Sequence, residues 1–389
     1  MDITDTGGIH FEFPIFGQED MEIIYRTTDS DKYPPITRKF KVYKMTNKNQ
    51  TGYNAVKYRL HFVSEEWITN ETIKISKSYK NKANSDIVQD VFSLLKSSKK
   101  FNIEKSINSQ KIILPYMSPF SAISWLSSYS VSSKNSASSY IFFENNSGFN
   151  FVSLDSLYSQ NPIDKWSLIS KLASSDIVTE DKKDLGLNDI SHVQTFDILG
   201  NIAGGMLGSM IQTYDITTRS YKTIKFDYFK DFNKMKHLED GDSSVAGLYT
   251  KDSNYNTIDS CKKFIITPTD SINSNYIKSK KQDSEIFSKK REESIQLRIS
   301  QLLQLNQFQS NISIPGDSRL SAGAIMDIEI PSYAITENKK ENSDPYYSGK
   351  HLIKKIKHQY TGNTYTNEIE LLRDSVKSPR KNVKVEKKN

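Results

Sequence analysis

A single cysteine, Cys261, stands among the 389 residues. The chain therefore forms no internal disulfide and no multi-cysteine metal site, and a reducing folding compartment is expected. Long apolar runs are also missing. The longest, 198–211, is broken by Asn201 and by glycines at 200, 204, 205 and 208, and it falls short of the roughly 20 apolar residues of a spanning helix. A soluble chain with no membrane partner is expected. The first twenty residues carry charges and Pro14 where an export signal needs an apolar stretch, so no such leader is expected. Histidine is scarce. His10, His61, His192, His237, His351 and His358 never fall at the i, i+4 spacing of a helical zinc site, and the seven-residue step from His351 to His358 straddles a strand start. No metal, no cofactor and no catalytic residue is expected.

An excess of one charge is nearly absent once the C-terminus is set aside. The formal charge is +7, and Lys377, Arg380, Lys381, Lys384, Lys387 and Lys388 against Glu386 supply +5 of it, leaving about +2 for the rest. Residues 376–389, with Pro379 and no apolar period, read as a disordered, solubilising tail. Transient contact of this tail with DNA or a membrane is the alternative reading there.

Aromatic residues are plentiful, with 21 Tyr and 19 Phe, which suits sheets and large interfaces. Met21–Tyr25, Thr37–Tyr43, Val56–Val63 and Thr72–Ser76 read as strands of an antiparallel barrel or sandwich. The period then changes. Asn84 or Ser85 caps a helix on which Ile87, Val88, Val91, Phe92 and Leu95 recur, and a second helix covers Phe120–Tyr129. Tyr140–Phe143 and Phe149–Leu154 flank a turn at 145–148, a hairpin. Residues 155–190 read as helical and polar. Val193–Leu199, Met206–Tyr214 and Tyr221–Phe229 resume the strand pattern, the last two as a pair, and 231–282 reads as a loop-rich excursion. A long helix spans 284–308 with an apolar stripe of Ile295, Leu297, Ile299, Leu302, Leu303 and Leu305. Strands follow at 312–314, 324–330, 352–360 and 365–373, with turns at Pro315-Gly316 and Gly362-Asn363.

Gly316-Asp317-Ser318 follows a strand, as one class of serine esterases presents its nucleophile. Such an enzyme needs a histidine base, commonly at Asp-x-x-His spacing. No such spacing follows Ser318, since Asp344 and His351 lie seven apart, and a strand-ending turn is the favoured reading. The glycines at 200–208 lack the Gly-Lys-Ser/Thr of a phosphate loop and read as a bulge or close strand approach. Glu65-Glu66 and Glu292-Glu293 read as a solvated face.

Three segments together resemble the central hub proteins of contractile-phage baseplates, the family of the bacteriophage T4 hub and the spike-hub proteins of type VI secretion. The first is Phe13-Pro-Ile-Phe-Gly-Gln-Glu-Asp20 with the strands to Glu65, ending in Ile73–Tyr79 and Ser85-Asp-Ile-Val88. The second is Ser118-Pro-Phe120, Tyr140–Phe143 and Gly148–Phe151. The third is 284–308, Ile314–Ser318, Ala322-Gly323, Ile328–Pro331, Ser348–Ile353 and Ile356–His358. One departure is that Met1–Asp5 and Gly7-Gly8 look like mid-strand and turn. Either the start codon is placed late, or a neighbouring subunit completes the first sheet.

The resemblance implies an α+β, mainly β chain with two tube-like antiparallel β-barrel domains and an inserted α+β domain. It divides the chain into a first tube-like domain at 1–76, an inserted domain at 77–192, and strands of the second tube-like domain at 193–229. A loop-rich excursion at 230–283 precedes the long helix and remaining strands of that second domain at 284–375. It further implies a homotrimer forming a pseudo-sixfold ring that adapts the tail tube to the central spike. Its expected partners are the tube or tube-initiator protein, the spike or tail lysozyme protein and the baseplate wedges, with DNA passing without specific binding. The expected location is the virion tail, assembled in the host cytoplasm. The alternative is a cell-envelope hydrolase using Ser318.

Overall fold

The computed structural model describes residues 1–27, 34–107, 110–135, 137–168, 186–215, 219–231, 235–239, 258–267, 294–306, 308–331, 343–344 and 346–376. The tail at 377–389, the pair Glu292-Glu293 and most of 231–293 lie outside these residues. Strand accounts for 47% and helix for 21%, so the fold is α+β and mainly β, with two curled half-barrel sheets. There are two compact units. One comprises Met1–Tyr79, Val88–Ser98 and Ile112–Ile123, the other Lys80–Ile87, Lys99–Lys111 and Ser124–Asn389.

The first unit opens with β1 (Asp2–Asp5), a one-turn α1 (Ile9–Glu12), β2 (Asp20–Tyr25), β3 (Ile36–Gln50) and β4 (Val56–Val63). They form an antiparallel sheet in the order β1-β4-β3-β2. Alternation along β3 and β4 sends Val42, Tyr58 and Leu60 into a small core, joined by Ile3, Ile15, Met21, Met45 and Val56. Register shifts at Val42/Lys44 and Thr46/Asn49 bend β3. Thr72–Ser76, expected as a strand, instead ends α2 (Glu65–Thr72), and β5 (Ile75–Lys82) starts later. The acidic pair Glu65 and Glu66 sits in the first turn of α2, where negative charge favours a helix N-terminus.

The expected helices follow as α3 (Asn84–Ser93) and α4 (Pro119–Ser127), separated by β6 (Phe101–Ile103) and β7 (Gln110–Met117), the latter paired with β5. Ile87, Val88, Val91, Phe92 and Leu95 are all buried. Asn84 does not act as the expected cap. Its Nδ2 donates to Ser130 Oγ at 3.3 Å, and the Ser85 amide is satisfied by Ser106 Oγ at 3.1 Å.

In the second unit the hairpin β8 (Tyr140–Asn145) and β9 (Gly148–Ser153) pairs with β6 and leads into α5 (Leu154–Tyr158). Gly148 has φ +129°, and a Cβ there would lie 2.2 Å from the Lys100 carbonyl oxygen, so only glycine fits. Beyond α5 the described residues of the expected helical stretch 155–190 are corrected to β10 (Lys165–Leu168), β11 (Gly186–Leu187) and β12 (Asp189–Gln194), while 169–185 lie outside the described residues. Burial of Trp166, 1% exposed, outweighs the polar composition around it. The strand expected to reach Leu199 gives way at Ile198 to α6 (Ile198–Gly204). Asp197 Oδ1 accepts from the Gly200 amide at 2.8 Å, and Gly205 ends the helix at φ 85°.

Three further strands, β13 (Gly208–Asp215), β14 (Ser220–Asp227) and β15 (Lys262–Thr267), form a sheet of their own, with α7 (Tyr228–Asp231) after β14. Here β13 and β14 pair antiparallel as expected. Residues 294–305 form helix α8. Then come β16 (Phe308–Pro315), β17 (Ile325–Glu329), β18 (Gly349–Thr361) and β19 (Thr364–Arg373).

These last strands join the seven-stranded sheet β11-β10-β17-β18-β19-β16-β12. Its two outermost strands, β11 and β12, are consecutive in the chain with only Asn188 between them. The Asn188 amide donates to Ser313 O on β16 at 2.8 Å, so the sheet curls until its ends meet. Inside lie Trp166, Leu187, Ile312, Ile314, Leu320, Met326, Ile328, Ile330, Ile353, Ile369 and Leu371.

Candidate functional site

Ile312, Ile314, Ile369 and Leu371 point into this core, so the alternate positions Asn311, Ser313, Glu368 and Glu370 face the other way. The same face takes Asp189 and Ser191 from β12 and Lys355 and Lys357 from β18, around a shallow depression of about 260 Å³. A bulge between Ile353 and Lys355 lets two consecutive lysines reach one carboxylate. Lys355 Nζ lies 3.0 Å and Lys354 Nζ 3.6 Å from Glu370, while Lys357 Nζ lies 2.9 Å from Glu368. The hydrogen bond from Lys355 holds the Glu370 carboxyl below its ordinary value. Three lysines thus stand against Asp189, Glu368 and Glu370, and the face is polar with no net charge. Exposed pairs of this kind stabilise by only about 0.2–1 kcal/mol each. Their main effect is on the field the face presents.

The first sheet repeats the device. With Met21, Val42, Tyr58 and Leu60 inward, the outward positions are Asp2, Asp20, Glu22, Lys39, Lys41, Lys57 and Arg59. Arg59 clasps Asp2 through Nε at 2.5 Å and Nη2 at 2.9 Å, and Lys41 Nζ lies 2.6 Å from Asp20. Glu22 and Lys39 are cross-strand neighbours. The Arg59 hydrogen bond lowers the Asp2 carboxyl, and the one Lys41 donates to Asp20 raises the Lys41 ammonium.

The Gly-Asp-Ser turn is built for packing. A Cβ on Gly316 would lie 2.0 Å from Tyr365 Cδ1, and its amide donates to Tyr365 O at 2.9 Å. Asp317 is occupied by Arg319, whose Nε and Nη2 donate at 3.0 and 2.7 Å, and its carbonyl accepts from Asn367 Nδ2 at 2.8 Å. Ser318 is only 2% exposed, packed behind this turn.

Five of the six histidines are tied into hydrogen bonds. Each of these shares one at 2.8 Å: His61 with Thr46, His192 with Ser310, His237 with Asp374, His351 with the Gly349 carbonyl and His358 with Tyr365. Burial lowers the pKa values of His192 and His358 and, aided by Arg373, pushes His351 down to about 3. Among the described residues no group of three metal-ligating side chains converges. The glycine run is corrected from a strand bulge to α6 and its C-cap, with Gly204 fitting closely against Leu303. Glu66, expected on a solvated face, is 5% exposed and accepts from Ser97 Oγ at 2.5 Å.

Helix α8 holds what the sequence reading missed. The buried residues on it include Ser294, Gln296, Ser300, Gln301 and Gln304, whereas Leu297, Ile299, Leu302 and Leu303 of the expected stripe are only partly buried. Gln296 Nε2 donates to Ser209 O at 3.0 Å, Ser300 Oγ to Met206 O at 2.9 Å, and Gln304 Nε2 to Asp374 O at 2.8 Å. Gln301 donates to Asp155 at 2.9 Å and accepts from Ser139. Burial raises the Asp155 carboxyl, with Gln301 opposing. Arg298 Nη1 donates to the carbonyls of Tyr140 and Ser138 at 2.8 and 3.2 Å. The helix therefore satisfies backbone and carboxylate groups that would otherwise be buried unpaired.

No family model matches the chain, and no curated protein does. Solved structures do. A tail protein from Neisseria meningitidis MC58 superposes with a TM-score of 0.51 at 10% identity, over 97% of this chain and 94% of that one. The 43 kDa tail protein of prophage MuSo2 from Shewanella oneidensis gives 0.43 at 9%, over 91% and 88%. An E. coli component of the type VI secretion system gives 0.38 at 7%, over 87% and 61%. The likeness of fold rests on the Neisseria protein. At 10% identity this is a likeness of fold, and the fold it shares with that tail protein agrees with the resemblance read from the sequence.

Proposed function

We propose that the chain is the central hub subunit of a contractile-type tail baseplate. In this reading it is a structural virion protein whose two curled sheets are equivalent wall segments. Three copies form a pseudo-sixfold ring that matches a sixfold tube to a threefold spike. The observation that carries it is the repetition in both sheets of one design, an apolar inner face and an outer face whose charges are largely matched by cross-strand ion pairs. A polyanion crosses such a wall with little retention, because tight backbone binding requires uncompensated Lys and Arg. Ring contacts come from strands abutting at open edges and from aromatic burial. The tube or tube-initiator protein, the spike and the wedge proteins are the partners, and the segments at 77–192 and part of 230–282 lie outside the ring.

Mass photometry and negative-stain imaging of the full chain, alone and coexpressed with the spike and tube proteins of its tail, test this. A trimer with a six-lobed ring is expected. A monomer under both conditions overturns the reading.

A further inference from the structure

The hairpin β8–β9, α5 and the segment around Ser321 line an open cleft of about 390 Å³, within the usual size of small-ligand sites. Side-chain amides of Asn102, Asn145, Asn150 and Gln160 line it together with Phe143 and Ser321, and no Asp, Glu, Lys or Arg does. In a chain that is 25% charged, this neutrality selects against ions, since nothing in the wall offsets their desolvation.

The amides are fixed in place. Asn102 Nδ2 donates to Asn150 Oδ1 at 3.3 Å, Asn145 Nδ2 to Ala322 O at 3.2 Å and Gln160 Nε2 to Gly323 O at 3.1 Å. Asn102 and Gln160 each use one N–H within the protein and keep a carbonyl oxygen for an incoming donor. Val152 and Leu157 add an apolar patch beside Phe143. Oriented neutral acceptors, spare amide N–H groups and an apolar patch suit a ligand with many hydroxyls on one side and C–H groups on the other.

We propose that this cleft binds a neutral carbohydrate. The proposal is independent of the hub reading. Saturation-transfer NMR on the full chain tests it, with N,N′-diacetylchitobiose and lactose as neutral probes and glucose 6-phosphate as the charged control. Expected are dissociation constants on the order of 1 mM for a neutral sugar and no transfer to the phosphate. Preference for chitobiose identifies a cell-wall-type amino sugar and preference for lactose a hexose glycan; either supports the site. The double variant Asn102→Ala/Gln160→Ala, at two exposed positions, should weaken binding at least tenfold with unchanged thermal unfolding. Ser321→Ala repeats the test with the loss of a single hydroxyl. No transfer from either neutral sugar at ~20 mM, well above that range, overturns the proposal, as does equal binding of the phosphate or unaltered binding by both variants.

Discussion

The two curled sheets share an outer design but differ in how they close. The seven-stranded sheet brings its ends together at Asn188 and encloses eleven buried residues. The four-stranded sheet has free edges at β1 and β2 and a buried cluster of three, Val42, Tyr58 and Leu60. Beside those three, large apolar side chains stay in solvent. Phe11 is 75%, Phe13 72% and Phe16 88% exposed in the connection between β1 and β2, and Ile24 on β2 is 63% exposed. That connection is held in shape, with the Gly7 and Ile9 amides on Asp5 and the Phe16 and Gly17 amides on Glu19. A closed sheet is self-sufficient, whereas an open edge flanked by ordered, exposed aromatics is a surface made for covering.

The largest test of this contrast is core truncation. Trp166→Ala should cost about 3–5 kcal/mol, because the closed barrel cannot collapse onto the hole. Leu60→Ala in the open sheet should cost about 2 kcal/mol, the low end for such a change, since its surroundings can relax. Urea unfolding followed by hydrogen exchange in β16–β19 and in β2–β4 measures both. Equal losses would mean that the open sheet is as tightly packed as the barrel.

Acid separates the two sheets next. In the barrel His351 is fully buried with its pKa pushed down to about 3, first by burial and then by Arg373. The unfolded chain takes up this proton near 6.5, so stability is complete above 6.5 and drains as the pH falls toward 3. The cost is on the order of a few kcal/mol. In the open sheet the lowered groups are carboxyls, Asp2 through Arg59 and Glu19 through backbone amides that outweigh its desolvation. Its loss begins only below their ordinary values near 4. Exchange in β16–β19 should therefore rise between pH 6 and 4 while β2–β4 stays protected, and His351→Leu should remove the larger part of the difference, the remainder resting on His192 and His358, which burial also lowers in the same sheet. Simultaneous opening of both sheets in the wild type would remove the histidine as cause.

Much of this architecture is legible in the residues, and the parts that are not share a cause. β4 falls at Val56–Val63 as its alternation predicts, and the hairpin at 145–148 and the buried stripe of α3 follow equally from local pattern. Lys165–Leu168 looks polar because Lys165 and Ser167 face outward and only Trp166 and the half-buried Leu168 turn to the core on so short a strand. The glutamines of α8 look like a solvent face because the partners that draw them in are backbone carbonyls and Asp155, distant in sequence and invisible to periodicity. The ion-paired faces were equally hidden, since Asp2 meets Arg59, and Glu370 meets Lys355, only through strand register. Ser318 shows the converse, a suggestive local motif that tertiary packing closes to solvent.

The smallest expected change in stability carries the sharpest test of what the outer faces do. Glu368→Lys/Glu370→Lys removes both carboxylates that hold Lys354, Lys355 and Lys357 and turns a neutral face into one with five lysines. Folding should shift by on the order of 1–2 kcal/mol, three pairs at about 0.2–1 kcal/mol each, because these pairs stand in water. Affinity for double-stranded DNA, negligible in the wild type at moderate salt, should appear with a salt slope that counts the phosphates engaged. Fluorescence anisotropy across a salt series reads it. The matched variant Asp2→Lys/Asp20→Lys on the open sheet should behave alike if the two faces are equivalent walls. DNA affinity gained by only one of them would show that the likeness of the sheets stops at their fold, and a chain shortened to residues 1–376, without the basic tail, that still binds DNA in a salt-dependent way would undo the neutral-wall argument for both.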